Sequence, residues 1–229
     1  MKTVISFYQS SIGKKWIVAL TGIILVGFVV GHMLGNLQIF LGQEAINAYA
    51  EKLQSLGALL WVVRIVLLLT IIIHICTTVL LAIQNKAARP QKYAVKARVQ
   101  STVAARTMLL SGLTLIAFIL FHLMHFTVQN VNPEWKTWVD SANRHDVYNM
   151  MIAGFESRPV SLFYIIAVFL LTLHMSHGIQ SFLQTLGGRT RKLAEPISKA
   201  SPVFAWAVFF GYISIPVAVL TGLLQRIGH

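Results

Sequence analysis

The sequence predicts an all-α integral membrane protein of five transmembrane helices, and three observations carry that expectation. Of the 229 residues, 56% are hydrophobic and only 11% are charged, against the ~25% charge that a soluble domain spreads over its surface. The apolar residues gather into five runs, each reaching the ~20 residues that a helix needs to cross the hydrocarbon core. A β-barrel would instead alternate apolar and polar residues in segments of ~10, and no such segments occur.

The runs cover about residues 16–41, 57–83, 107–128, 160–186 and 202–224, so the whole chain, 1–229, is expected to form a single transmembrane domain. The segment before the first run has no apolar stretch followed by a small-residue cleavage site, and is not expected to be a cleaved signal peptide. Residues 43–56, between the first and second runs, place Ile46, Tyr49, Ala50 and Leu53 on one helical face, as in a short amphipathic helix lying on the membrane surface. The second run contains Arg64, the only full charge well within a span, and Cys76, the single cysteine. One cysteine excludes a disulfide framework, a CxxC redox pair, an iron–sulfur cluster and covalent CxxCH haem attachment. The connection 129–159 carries Trp135, Trp138 and Tyr148, expected to be interfacial aromatics.

Charge gives the orientation. The N-terminus (Lys2, Lys14, Lys15), the second loop (Lys86, Arg89, Lys92, Lys96, Arg98, Arg106) and the fourth loop (Arg189, Arg191, Lys192, Lys199) hold 13 of the 19 basic residues and one acid, Glu195. The other side holds six basic residues and six acids, so the formal +12 falls entirely on one side. The positive-inside rule then predicts a cytoplasmic N-terminus and an outer C-terminus in a multi-pass protein, whose expected location is a bacterial cytoplasmic (inner) membrane. The basic residues punctuate apolar runs and form no stripe interleaved with aromatics, so lipid is the expected surroundings and nucleic acid is not.

Histidine carries the functional signal. Six of the eight histidines fall inside the apolar runs: His32, His74, His122, His125, His174 and His177. Ionisable groups are costly in lipid and face the bundle interior, where two histidines on facing helices can supply both axial ligands of a b-type haem. Such a pair must share a depth. At ~1.5 Å per residue, His32 and His122 lie ~15 and ~12 Å from the outer boundary, and His74 and His174 ~26 and ~22 Å from it. The expected couples are an outer one, His32 with His122, and an inner one, His74 with His174, in a bundle made by four of the five helices and binding two haems. By geometry alone His125 and His177, each one turn from a neighbour, can take the ligand's place. Other uses of a buried histidine are an interhelical hydrogen bond or a proton relay. Zinc is disfavoured, because neither HxxH has partners that complete a tetrahedron.

At these residues the sequence resembles the cytochrome b membrane-anchor subunit of succinate dehydrogenase and fumarate reductase (succinate:quinone oxidoreductase), in its single-subunit, five-helix, dihaem form. The resemblance spans nearly the whole chain and rests on SSIGKKWIVALTG leading to GHMLGNLQIFLG around His32, LTIIIHICTTVLLA around His74, GLTLIAFILFHLMH around His122 and LHMSHGIQSF around His174. The Tyr164 to His174 spacing and Gly178 also fit. The resemblance implies haem-iron ligation by His32, His74, His122 and His174, with non-histidine residues usual at the positions of His125 and His177. Those two are left to bond haem propionates, carbonyls or quinone.

The resemblance also implies a three-protein complex linking the tricarboxylic acid cycle to the respiratory chain. A flavoprotein interconverts succinate and fumarate. An iron–sulfur protein passes electrons to this non-flavin, quinone-reactive subunit, whose basic loops would help to dock it. Electrons then run from inner to outer haem and on to a quinone, menaquinone in many relatives.

A quinone carbonyl needs a hydrogen-bond donor, and quinone reduction needs protons. The polar residues at the outer helix ends are Asn36, Gln38, Tyr49, Glu51, Gln54, Gln129 and Asn130. Relatives carry a functional glutamate where this chain has Gln54, with Glu51 one turn away. A further glutamate, two residues before the helix-four ligand in some relatives, is Thr172 here, so the resemblance does not extend to that proton route. Arg64 and Arg158 are candidate partners for haem propionates, with snorkelling and boundary anchoring as the alternatives. Lys15 and Trp16, at the mouth of helix one, are further propionate or boundary candidates.

Two rival functions remain at this stage. The haem b subunit of another quinone-linked dehydrogenase would share the histidines but not their motif order across helices one to four. A non-haem transporter would be expected to show broken helices or intramembrane carboxylates, and no acid lies at the centre of any run.

Overall fold

Ser10 opens the first long helix by accepting a hydrogen bond from Gly13 N at 2.9 Å, which satisfies one of the donors that a helix start leaves bare. Helix α1 then runs Ser11–Asn36 and tightens into a 3-10 turn, Leu37–Leu41. This computed structural model describes residues 7–88 and 102–228. The expectations for Lys2, Arg89, Lys92, Lys96, Arg98 and His229 lie outside the described residues.

After Gly42, in a left-handed conformation with φ of 100°, comes α2, Gln43–Gln54; Gly57, at φ of 52°, ends the next turn and starts α3, Ala58–Ala87. Thr102 caps α4, Val103–His122, through Ala105 N, and the chain continues into a π-helical turn, Leu123–Thr127. Asp146 caps α5, Val147–Glu156. Helix α6, Arg158–Thr185, begins with Pro159 in its first turn, where a missing N–H costs nothing. Helix α7 is Ala194–Leu220. It starts before the expected 202 because Pro202 and Pro216 are held inside it, and it ends before the expected 224.

The protein is thus an all-α integral membrane protein. Five of its helical stretches, α1 with its 3-10 turn, α3, α4 with its π turn, α6 and α7, are long and apolar enough to cross a bilayer. Helix α6 is the hub and packs on α1, α4 and α7, while α3 packs chiefly on α1. Apolar burial alone drives little helix association in lipid, where close approach and hydrogen bonds do that work. Gly211 supplies an approach between α7 and α1: a Cβ there would collide with Met33 Sδ. One turn further along the bundle Tyr212 donates to the Val29 carbonyl at 2.7 Å.

The outer connections differ from the expectation of surface-lying segments. Helix α2 does form, but its Ile46 enters a protein core with Ile39, Tyr148, Ile152, Phe155, Tyr164 and Ile215, and Leu53 stays exposed. The deciding residue is Asn47. It is wholly buried, accepts from Tyr148 N at 3.0 Å and donates to Asp140 and Asp146, each at 3.1 Å. A polar residue on the inward face requires protein partners, so the helix docks on α5 and not on lipid alone. Trp135 and Tyr148 are likewise buried and Trp138 half-buried, not interfacial. Residues beyond α7 complete this cap: Asn149 exchanges two hydrogen bonds with Ile227, and Arg226 pairs with Glu156.

Candidate functional site

In the half of the bundle that the charge pattern predicts to be inner, His74 on α3 meets Thr21 of α1, with Nδ1 and Oγ1 2.9 Å apart. The hydroxyl donates to the Ile17 carbonyl at 2.7 Å, so its oxygen is free to accept the His74 Nδ1 proton. His174 on α6 repeats the pattern: its Nδ1 is 3.3 Å from Ser111 Oγ of α4, and Ser111 donates to Met108 O at 3.1 Å. Each hydroxyl thus meets the Nδ1 edge of one ring, and a ring protonated at that edge would have its Nε2 lone pair available for a metal.

The residue after each hydroxyl is a glycine. A Cβ at Gly22 would stand 3.7 Å from His74 Cε1, and one at Gly112 would stand 3.6 Å from His174 Cε1. Gly178, half-buried and one turn beyond His174, has nothing within 4 Å of its Cβ position. Glycines beside an imidazole, with open space at Gly178, leave room of the kind that a flat macrocycle could fill.

In the outer half, the rings of His32 on α1 and His122 on α4 face each other with centroids 5.8 Å apart. Phe28 stacks on His32 at 5.4 Å and Phe118 on His122 at 5.8 Å. The Tyr164 hydroxyl of α6 lies 3.3 Å from His122 Nδ1 and 3.0 Å from His125 Nδ1. His125 is 2% exposed, packed among Phe121, Phe126 and Trp135. The π turn lets it share Tyr164 with His122.

The remaining candidates are more dispersed. Asn36 donates to the His32 carbonyl at 2.9 Å, Gln38 is half-buried, and Tyr49 packs against Gly35, where a Cβ would meet its ring at 2.9 Å. Glu51 and Gln54 line a cavity of about 170 Å³ with Asn143, Arg144 and His145. Gln129, buried and at a positive φ of 57°, donates to His145 Nε2 at 3.0 Å and so joins that cavity to the end of α4. Asn130 is exposed and accepts from Lys136. Arg64 is exposed with its guanidinium 5.1 Å over the Trp61 ring, a cation–π contact within its own helix. Arg158, Lys15 and Trp16 are exposed at helix starts.

Beside the cavity stands a charged cluster. Arg144 spans Glu44 and Asp140, with Nη1 2.8 Å from Glu44 Oε1 and Nε 2.9 Å from Asp140 Oδ2. Burial by itself raises the Asp140 carboxyl, but the N–H groups of Arg144 and Ala142, the guanidinium and the Asn47 amide outweigh it and hold it down to about 2. The same guanidinium lowers the exposed Glu44 carboxyl, and the two carboxylates raise Arg144.

Sequence reasoning missed Thr21, Ser111 and His145, and gave Tyr164 no role. A hydroxyl followed by glycine in mid-span, Thr21–Gly22 and Ser111–Gly112, was the signal available for the first two.

A family model, the succinate dehydrogenase/fumarate reductase transmembrane subunit, matches residues 83–215, more than half of the chain. The chain belongs to that family. This transmembrane subunit is therefore a multi-pass membrane component of a multi-subunit succinate dehydrogenase/fumarate reductase complex. The matched residues include His122 and His174, with His32 and His74 before them. Neither a curated protein nor a solved structure matches the subunit significantly.

Proposed function

We propose that this subunit passes electrons between an iron–sulfur partner on the cytoplasmic side and a membrane quinone, menaquinone, at the outer side, with two bis-histidine b haems as carriers. The iron–sulfur protein in turn serves a flavoprotein that interconverts succinate and fumarate, in a bacterial cytoplasmic membrane. Each haem, when bound, supplies a one-electron couple whose potential follows its axial ligands and their hydrogen bonds.

The chain's own residues set the frame for this. His74 and His174 would ligate at the inner level and His32 and His122 at the outer. Thr21 and Ser111 meet the Nδ1 edges of the inner rings and would hold the ring protons there, leaving Nε2 for the iron. The observation that carries the reading is this hydroxyl support, made twice by different helix pairs behind two histidines in the same bundle.

At the outer end, quinone reduction consumes protons that the chain must deliver. The cavity beside Glu51, Gln54 and His145 is about 170 Å³, below the ~300 Å³ at which ligand pockets begin. We assign it to water and proton entry, with Glu51 and His145 as carriers and Gln129 holding His145 in place. The quinone head group is left to the neighbouring helix ends, where Asn36, Gln38 and Tyr49 supply polar atoms.

A reduced-minus-oxidised absorption spectrum of the purified complex, with haem quantitation, tests the proposal. Two b-type haems per chain are expected. Absence of b-type bands overturns it.

A further inference from the structure

The outer histidine level contains a hydrogen-bonded chain that the inner level lacks. Tyr164 Oη sits between His122 Nδ1 at 3.3 Å and His125 Nδ1 at 3.0 Å. A phenol carries one proton, so it can donate to only one of the two rings. If it donated to His122, that ring would keep its own proton on Nε2 and could not ligate iron. With His122 as a ligand, its Nδ1–H therefore donates to the phenol oxygen, and the phenol proton goes to His125 Nδ1.

His125 is 2% exposed within an aromatic cage, and its Nδ1 bonds to the Tyr164 hydroxyl. Donation to His125 polarises the phenol and makes its oxygen a better acceptor. That draws the His122 Nδ1 proton outward and raises the basicity of Nε2, which favours ferric over ferrous iron. At the inner level, Thr21 and Ser111 spend their protons on backbone carbonyls. We propose that Tyr164 and His125 form a positioning pair that lowers the potential of the outer haem specifically, with His125 acting through Tyr164. This rests on the bis-histidine reading above.

Redox titration of the complex, following the b-type bands of each haem, tests it. Y164F keeps the ring and removes the hydroxyl. The outer haem is expected to be retained and to hold a ferric-to-ferrous ratio about tenfold lower at a fixed ambient potential, a rise of about 59 mV for a one-electron couple. The inner haem serves as the internal control and should not move. H125F should shift the outer haem the same way by less, and Y164F/H125F should shift it no further than Y164F.

An unmoved outer potential in Y164F, or additive shifts in the double variant, overturns the pair while leaving two-haem ligation intact. If Y164F fails to hold the outer haem, H125F decides alone: a raised potential supports the pair and an unchanged one overturns it. A wild-type complex without b-type haem overturns the ligation reading and this inference together.

Discussion

The inner and outer halves of the bundle place the same side chain on neighbouring helices and support it by different means. Behind His74 and His174 stand two aliphatic hydroxyls, each followed by glycine, with open space beside Gly178. Around His32 and His122 stand Phe28, Phe118 and Tyr164, under a folded cap with the larger of the two buried apolar clusters. The inner half has a smaller buried core of Met175, Ala205 and Val208. An aliphatic hydroxyl that spends its proton on a carbonyl can orient a ring and do little else. A phenol between two imidazoles can orient one and modulate it.

On the proposed ligation, the strongest way to break this comparison is to remove a histidine from one level only. His74→Ala or His174→Ala should cost the inner haem and spare the outer, and His32→Ala or His122→Ala the reverse, read by haem quantitation and band position. Loss of the outer haem from a His74 substitution, with the inner retained, would refute the pairing.

A finer test removes the support and keeps the ligand. Thr21→Val or Ser111→Ala should weaken inner haem retention by about 10–100-fold, the range for lost outer-shell partners, with the outer haem unchanged. Equal loss from both levels would show that these hydroxyls hold the bundle and not the rings.

The cap can be probed separately. Asn47→Leu strands Tyr148 N and removes one donor each from Asp140 and Asp146, which keep Arg144 and Asn149, and should cost about 1–3 kcal/mol of stability for the stranded N–H. It should lower the melting temperature read by Trp135 fluorescence before it touches the inner haem.

Acid sharpens the same point. The Asp140 carboxyl is held at about 2, below its ordinary 3.8, so the folded cap binds fewer protons there than the unfolded chain. Its contribution is full above the ordinary value and lost as pH falls through about 2. Melting temperature should decline over that window. Asp140→Asn should flatten that decline and leave the cap weaker at neutral pH. The smallest effect belongs to the exposed pair Lys199–Glu195: Glu195→Ala should shift stability by no more than about 0.5 kcal/mol.

The five long helices were legible because in lipid every backbone polar group must be satisfied within its own segment, so apolar length and helix coincide. The facing of His32 and His122 was legible through depth, since a helix rises by a constant amount per residue. The cap was not. Ile46 and Tyr49 share a helical face with lipid-compatible residues, and nothing in their spacing says that Asn47 turns inward to meet acids some hundred positions away. The π turn that brings His125 beside Tyr164 was equally hidden, because LMHFT differs little in pattern from any helical stretch.

Sequence alone therefore determined the class, the number of spans, the histidine depths and the asymmetric charge, all quantities that depend on local composition and distance along one helix. Tertiary structure decided which hydroxyl stands behind each ring, which candidates share the outer cavity, and that the outer loops close into a buried polar cap. Those facts depend on the rotation of one helix against another. Such rotation is fixed by interhelical contacts, from Gly211 against Met33 to Asn47 between two aspartates, that no single segment contains.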